Sequence, residues 1–215
     1  MSTALELLTI HERPSPNHRS RGGEKIRLIV LHSDASPSMA ATIDWLEKSA
    51  ADLRALWEKT DPDERPAKPW GPVSYHYSVG RTGWTCRHVA DSKSAYHAGV
   101  SEWRGERGHR NGVNDFSIGV NLSNRQSRRE PYEEHAGEPY PEAQLDATAR
   151  LVASLCIDHR IPASAICTHA QCARPEGRKH DPYPGGPFDL MAFLGLVNDW
   201  AGRIHCDLLS GGGAA

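Results

Sequence analysis

The run Ile26–Leu31 (IRLIVL) constrains the fold more than any other stretch of the chain. It is apolar apart from Arg27, rich in β-branched side chains, and followed directly by His32. A short apolar run without strict alternation reads as a strand buried on both faces, as in the middle of a parallel sheet. Such a strand needs helices to cover it, and helical spacing follows. Ile43, Leu46, Leu53 and Trp57 predict a helix over about 39–59, opened by the hydroxyls of Ser36 and Ser38. Leu145, Thr148, Val152, Leu155 and His159 predict a second over about 142–160, and a third is expected over about 188–200. Val73–Val79 and Trp84–Val89 flank the turn Gly80–Gly83 as a hairpin. Phe116–Leu122 and Ala163–Thr168 complete the predicted strands. The expected fold class is α/β: a single domain with a mixed central β-sheet flanked by about three helices.

At 215 residues, one domain is expected. Residues 1–25, polar and carrying Pro14 and Pro16, read as an N-terminal arm on the surface. Residues 26–205 read as the domain itself and 206–215 as a flexible tail. Residues 101–114 and 124–141 read as irregular loops. A net charge of −2 lacks the basic excess of a nucleic-acid binder. No apolar stretch is long enough to insert in a membrane. The first twenty residues lack a basic segment leading into an apolar one, so cytoplasmic synthesis without a signal peptide is expected. A monomer is expected. Five scattered cysteines do not suggest a disulfide framework, whereas 12 histidines direct attention to metal and proton chemistry.

His32 follows one predicted strand and His169 another; Asp181 lies twelve residues beyond His169. A residue just past a strand's end faces the cleft above the sheet. Two histidines and a carboxylate with an open fourth position is the form of a catalytic zinc site. Spacing alone leaves alternatives open. Cys167, His169 and Cys172 could form a thiolate site, although buried cysteines are the plainer reading. His76, alternating with Tyr75 and Tyr77, reads as a packed, hydrogen-bonded histidine facing away from the tyrosines. Trp70, Trp84 and Trp103 suit either packing or a sugar face. The basic run Arg125–Arg129 suits a solvated loop or contact with an anionic polymer.

Five segments, in order, add a resemblance: LIVLHSDA (28–35), VSYHYSVGRTGW (73–84), AYHAGVSEW (95–103), NDFSIGVNLSN (114–124) and THAQCARPEGRKHDPYPG (168–185). The chain resembles the zinc-dependent N-acetylmuramoyl-L-alanine amidases and the related peptidoglycan recognition proteins. The resemblance implies one Zn²⁺ on His32, His169 and Asp181. It implies that Lys179 hydrogen-bonds the substrate carbonyl and that Tyr75 serves the attacking water. It places His97 in the cleft that takes the substrate, peptidoglycan or a muropeptide; Asn121 is expected beside the substrate too, and Arg178 suits either a stem-peptide carboxylate or a solvated surface. One departure stands out. Many relatives, the recycling amidases among them, carry a glutamate base where this chain has Asn121, which accepts no proton at neutral pH. The phage lysozyme branch also lacks that glutamate. The expectation is therefore a lytic endolysin that reaches the wall after release. The alternatives are a recycling amidase acting on anhydro-muropeptides and a non-catalytic peptidoglycan-binding module.

Overall fold

Alternation along the central strands sorts their side chains onto two unlike faces. The computed structural model describes residues 3–34, 36, 38–103, 112–124, 138–182 and 188–210. In chain order these form β1 (His11–Glu12), β2 (His18–Ser20), β3 (Leu28–Asp34), α1 (Met39–Leu46), α2 (Ala50–Lys59), β4 (Tyr77–Val79), β5 (Thr85–Arg87) and β6 (Lys93–Ala95). There follow α3 (Gly112–Phe116), β7 (Ser117–Ser123), α4 (Glu142–His159), β8 (Ile166–Thr168), α5 (His169–Cys172) and α6 (Leu190–Ser210). The main sheet has the order β1-β5-β4-β7-β3-β8, and β4, β7, β3 and β8 run parallel. The chain is thus a mixed α/β domain, as expected.

One face of the sheet presents Ile29, Leu31, Tyr77, Val79, Ile118, Val120 and Leu122. These side chains pack with the inner faces of α4 and α6 into the main core. The opposite face begins apolar, with Leu28 and Val30 against Val113, Phe116, Cys167 and Cys172. It then turns polar: His32 pairs in register with Asn121, and Asn121 with Ser78. Burying the first face drives folding at roughly 25 cal/mol per Å² of apolar surface. That leaves the second face available for polar chemistry.

Several elements differ from expectation, each for a local reason. The helix predicted over 39–59 is two helices. Ser49 and Asp52 form a capping box, with Asp52 N 3.2 Å from Ser49 Oγ and Ser49 N 2.9 Å from the Asp52 carboxylate, so a new helix starts there. Ser38 caps α1 as predicted, accepting from Ala41 N. Ala163–Ala165 is a 3₁₀ turn, and only Ile166–Thr168 is strand. The last helix continues to Ser210, into the expected tail. The basic run at 125–129 and residues 211–215 lie outside the described residues.

The described part of the expected N-terminal arm, residues 3–25, opens with a 3₁₀ turn at Leu5–Leu7 and then joins the sheets rather than lying free on the surface. β1 pairs with β5 and β2 with β6. Arg21, only 6% exposed, reaches the polar face of the sheet. Its guanidinium donates to the carbonyls of Asp91 (2.6 Å), Asp115 (2.7 Å) and Ser117 (2.8 Å) and lies 2.8 Å from His76 Nε2. Carbonyls can only accept, so a buried arginine satisfies several strand and loop ends at once.

His76 is fully buried, and its Nδ1 accepts from Gly119 N at 3.0 Å. Burial, then the nearby Arg21 charge, lowers its pKa to about 3. Burial lowers His88 in the same direction. Both are neutral when folded and take up a proton on unfolding below about pH 6.5. Stability therefore falls as pH drops through the window from about 6.5 to about 3, the folded value of His76. His76 alone contributes a slope of about 1.4 kcal/mol per pH unit. Urea midpoints of chelator-treated protein should drop clearly from pH 7 to pH 5, and less steeply in His76→Gln. Equal midpoints at both pH values contradict this account.

Candidate active site

The site is built where β3 and β8 end side by side. His32 sits on β3, and His169 begins α5 directly after β8, whose Thr168 caps that helix. Asp181 arrives on the following loop, tied down where Ala170 N donates to its carbonyl at 3.1 Å. The ligand atoms of His32, His169 and Asp181 lie within 4.8 Å of one another, and among the described residues this is the one His/Cys/Asp/Glu group that could hold a metal ion. His32 Nδ1 is 3.3 Å from Asp181 Oδ2, and His169 Nδ1 is 3.1 Å from Asp181 Oδ1. Cys167 and Cys172 pack into the apolar cluster instead.

The donor set fits a metal on its own chemistry. His169 Nε2 lies 3.1 Å from the Ala98 carbonyl, so that nitrogen carries the proton. In the neutral imidazole Nδ1 is then a bare lone pair facing a carboxylate. Two acceptors so close need a cation between them, either a second proton or a metal ion. Burial, then His169, lowers His32 to about 4, so it is neutral and ready to ligate at pH 7.

Lys179 lines the cleft beside this group, together with Tyr96, His97, Gly99, His169 and Arg178. The cleft encloses about 520 Å³. The ammonium is near enough to His32 to help depress its pKa. Tyr75 stacks obliquely on His32, ring centroids 5.1 Å apart. Burial, then Asp34 and Asp181, raises the Tyr75 pKa well above 10, so its hydroxyl stays protonated. Contrary to the alternation argument, Tyr75 and His76 both lie on the metal side and only Tyr77 faces the core. The reason is that β4 starts at Tyr77, so strand alternation does not extend to its two predecessors.

The three expected substrate contacts all have partners within the protein. Arg178 lines the cleft and donates to the carbonyls of Arg174 (2.7 Å), Val100 (2.6 Å) and Ala98 (3.2 Å), which ties the loops together. Asn121 is fully buried; its Oδ1 accepts from Asp34 N at 3.0 Å and its Nδ2 donates to Asp34 Oδ2 at 3.2 Å. His97 is nine-tenths buried, with both ring nitrogens engaged. Sequence reading missed Asp34, two residues beyond His32 and therefore on the same face of β3. Thr42 also donates to it at 2.6 Å, and burial raises its pKa. Of the tryptophans, Trp70 packs on Trp45 and Trp103 against the second apolar cluster. Trp84 is half-exposed, stacks on His11, and edges a second cleft with Met39 and Arg81.

The chain is similar to known proteins. The model of the family described as N-acetylmuramoyl-L-alanine amidase matches residues 22–184. The 1,6-anhydro-N-acetylmuramyl-L-alanine amidase AmpD of Salmonella typhimurium is 31% identical over 189 residues, covering 86% of this chain and 88% of that protein. A crystal structure of an AmpD selenomethionine derivative superposes with a TM-score of 0.62 at 28% identity, covering 92% of this chain and 99% of that one. The amidase AmiD of E. coli, solved with anhydro-N-acetylmuramic acid-L-Ala-D-γ-Glu-L-Lys, shares the fold at a TM-score of 0.56 and 24% identity, over 83% of this chain and 60% of its own. With the family match spanning most of the domain and the His32, His169 and Asp181 side chains converging as such a site requires, the chain belongs to the N-acetylmuramoyl-L-alanine amidase family.

Proposed function

We propose that this protein uses one zinc ion, held by His32, His169 and Asp181, to hydrolyse the amide between N-acetylmuramic acid and L-alanine in soluble anhydro-muropeptides. The observation that carries the reading is the pair of histidine lone pairs aimed at one carboxylate on the polar face of the sheet. Two neutral nitrogens and one oxygen suit zinc, with a position left open. When bound, the ion supplies a Lewis acid and a water acidic enough to attack at neutral pH. The residues of the chain do the rest. Lys179 donates to the carbonyl oxygen as negative charge builds on it. The Tyr75 hydroxyl, protonated at all working pH values, orients the attacking group or donates a proton to the departing amine.

The recycling assignment replaces the endolysin expectation. That expectation rested chiefly on Asn121 standing where relatives carry a glutamate base, and one residue weighs less than a match over most of the chain. AmpD, matched over nearly the full length of both chains, supports the soluble substrate. Purified protein should release the peptide from an anhydro-muropeptide at least tenfold faster than it solubilises sacculi, and a chelator should stop both. Faster clearing of sacculi restores the lytic reading. Binding without turnover, at full zinc loading, supports a non-catalytic module.

A further inference from the structure

Each metal-facing histidine hands its second nitrogen to consecutive residues of one segment. His169 Nε2 meets the Ala98 carbonyl at 3.1 Å, and His32 Nε2 meets His97 Nδ1 at 2.9 Å. The direction of the second bond follows from the far end of a chain of contacts. The Val113 carbonyl can only accept, so the Ser117 hydroxyl donates to it. Ser117 Oγ is then left to accept from His97 Nε2, 3.1 Å away. A neutral His97 with its proton on Nε2 has a bare Nδ1. His32 must therefore donate from Nε2, which leaves its own Nδ1 free to face Asp181. The ring needs room: a Cβ on Gly119 would stand 2.6 Å from His97 Cγ and 2.8 Å from Nδ1. The segment is itself anchored. Asn114 Oδ1 accepts from Ala98 N at 2.8 Å, and Arg178 donates to the carbonyls of Ala98 and Val100.

We propose that His97 is a positioning residue for the metal centre, not a substrate contact. By accepting from His32 Nε2 it selects the tautomer that offers Nδ1 to the ion, while the adjacent Ala98 carbonyl does the same for His169. Gly119 supplies the space in which the His97 ring sits. The proposal rests on His32, His169 and Asp181 being the metal ligands. Outer partners of ligating histidines are worth about 10–100-fold in metal affinity.

The test is zinc affinity, read by competition with a chromophoric chelator on the full chain, with metal-free thermal stability measured alongside. His97→Phe keeps a ring but no acceptor, and should weaken zinc about 10–100-fold while still binding one ion. His97→Asn places an oxygen near the position of Nδ1 and should recover most of that loss. Gly119→Ala should resemble His97→Phe, because its methyl displaces the ring. Wild-type affinity in a folded His97→Phe overturns the proposal, as does equal weakening in the Phe and Asn variants, which would make the ring mere packing. Failure of the underlying metal reading looks different: wild-type protein would then bind no stoichiometric zinc, or His32→Ala would bind it as tightly as wild type.

Discussion

Asp181→Ala, His32→Ala and His169→Ala should each abolish stoichiometric zinc and reduce turnover by about 10³-fold or more, since a metal ion supplies several kcal/mol of transition-state stabilisation. Three protein ligands leave none to spare. Asp181 is the sharpest case, because it is the one negative charge shared by the two histidines, at 3.1 and 3.3 Å. The fold should survive all three changes, because the core of Ile29, Leu31, Ile118, Val120 and the inner faces of α4 and α6 lies on the other side of the sheet. Zinc should raise the melting temperature of the wild-type protein and leave that of Asp181→Ala unchanged, because only a binding-competent native state is stabilised by its ligand. Metal content, melting temperature with and without zinc, and turnover make the measurement. Near-normal turnover with one bound zinc in any of the three variants removes that residue from the ligand set.

Lys179→Ala should keep zinc and lower kcat by about 10²–10³-fold, the usual loss of a preorganised donor to a developing oxyanion. Lys179 reaches the cleft while Asp181, two residues on, reaches the metal group. One short segment thus brings a cation to the cleft and a carboxylate to the candidate metal group. Ground-state binding should change little, so KM stays within a few-fold. The neighbouring Arg178 supplies a control: Arg178→Ala should loosen the loop that carries Ala98, and its effect should fall on stability and metal affinity. An unchanged kcat in Lys179→Ala moves the donor role to another group, with the Tyr75 hydroxyl next in line.

What could be read from residues alone was what local pattern determines. The apolar run before His32, the alternation in Ser117–Ser123 and the 3.6-residue period of α4 specify strands, a helix and an α/β layer without knowledge of partners. The two histidines at strand ends made a metal group one reading of the residues, because strand ends in a parallel sheet converge on one cleft; the resemblance to the amidases selected it and alone supplied Lys179 as a donor. The break between α1 and α2 went unread, although Ser49 and Asp52 carry its signal as a capping box inside an otherwise helical period.

Only the tertiary structure decided what the remaining polar side chains are for. Asn121, Arg178 and His97 were expected to meet substrate, and each bonds to a group distant in sequence that no local pattern named: Asp34, the Ala98 and Val100 carbonyls, and His32. Arg21 turned the expected N-terminal arm into part of the sheet's polar face for the same reason. A buried polar group must find a partner or leave a cost of about 1–3 kcal/mol. Which partner it finds depends on which segments the fold brings together, and no local pattern in these residues carries that information.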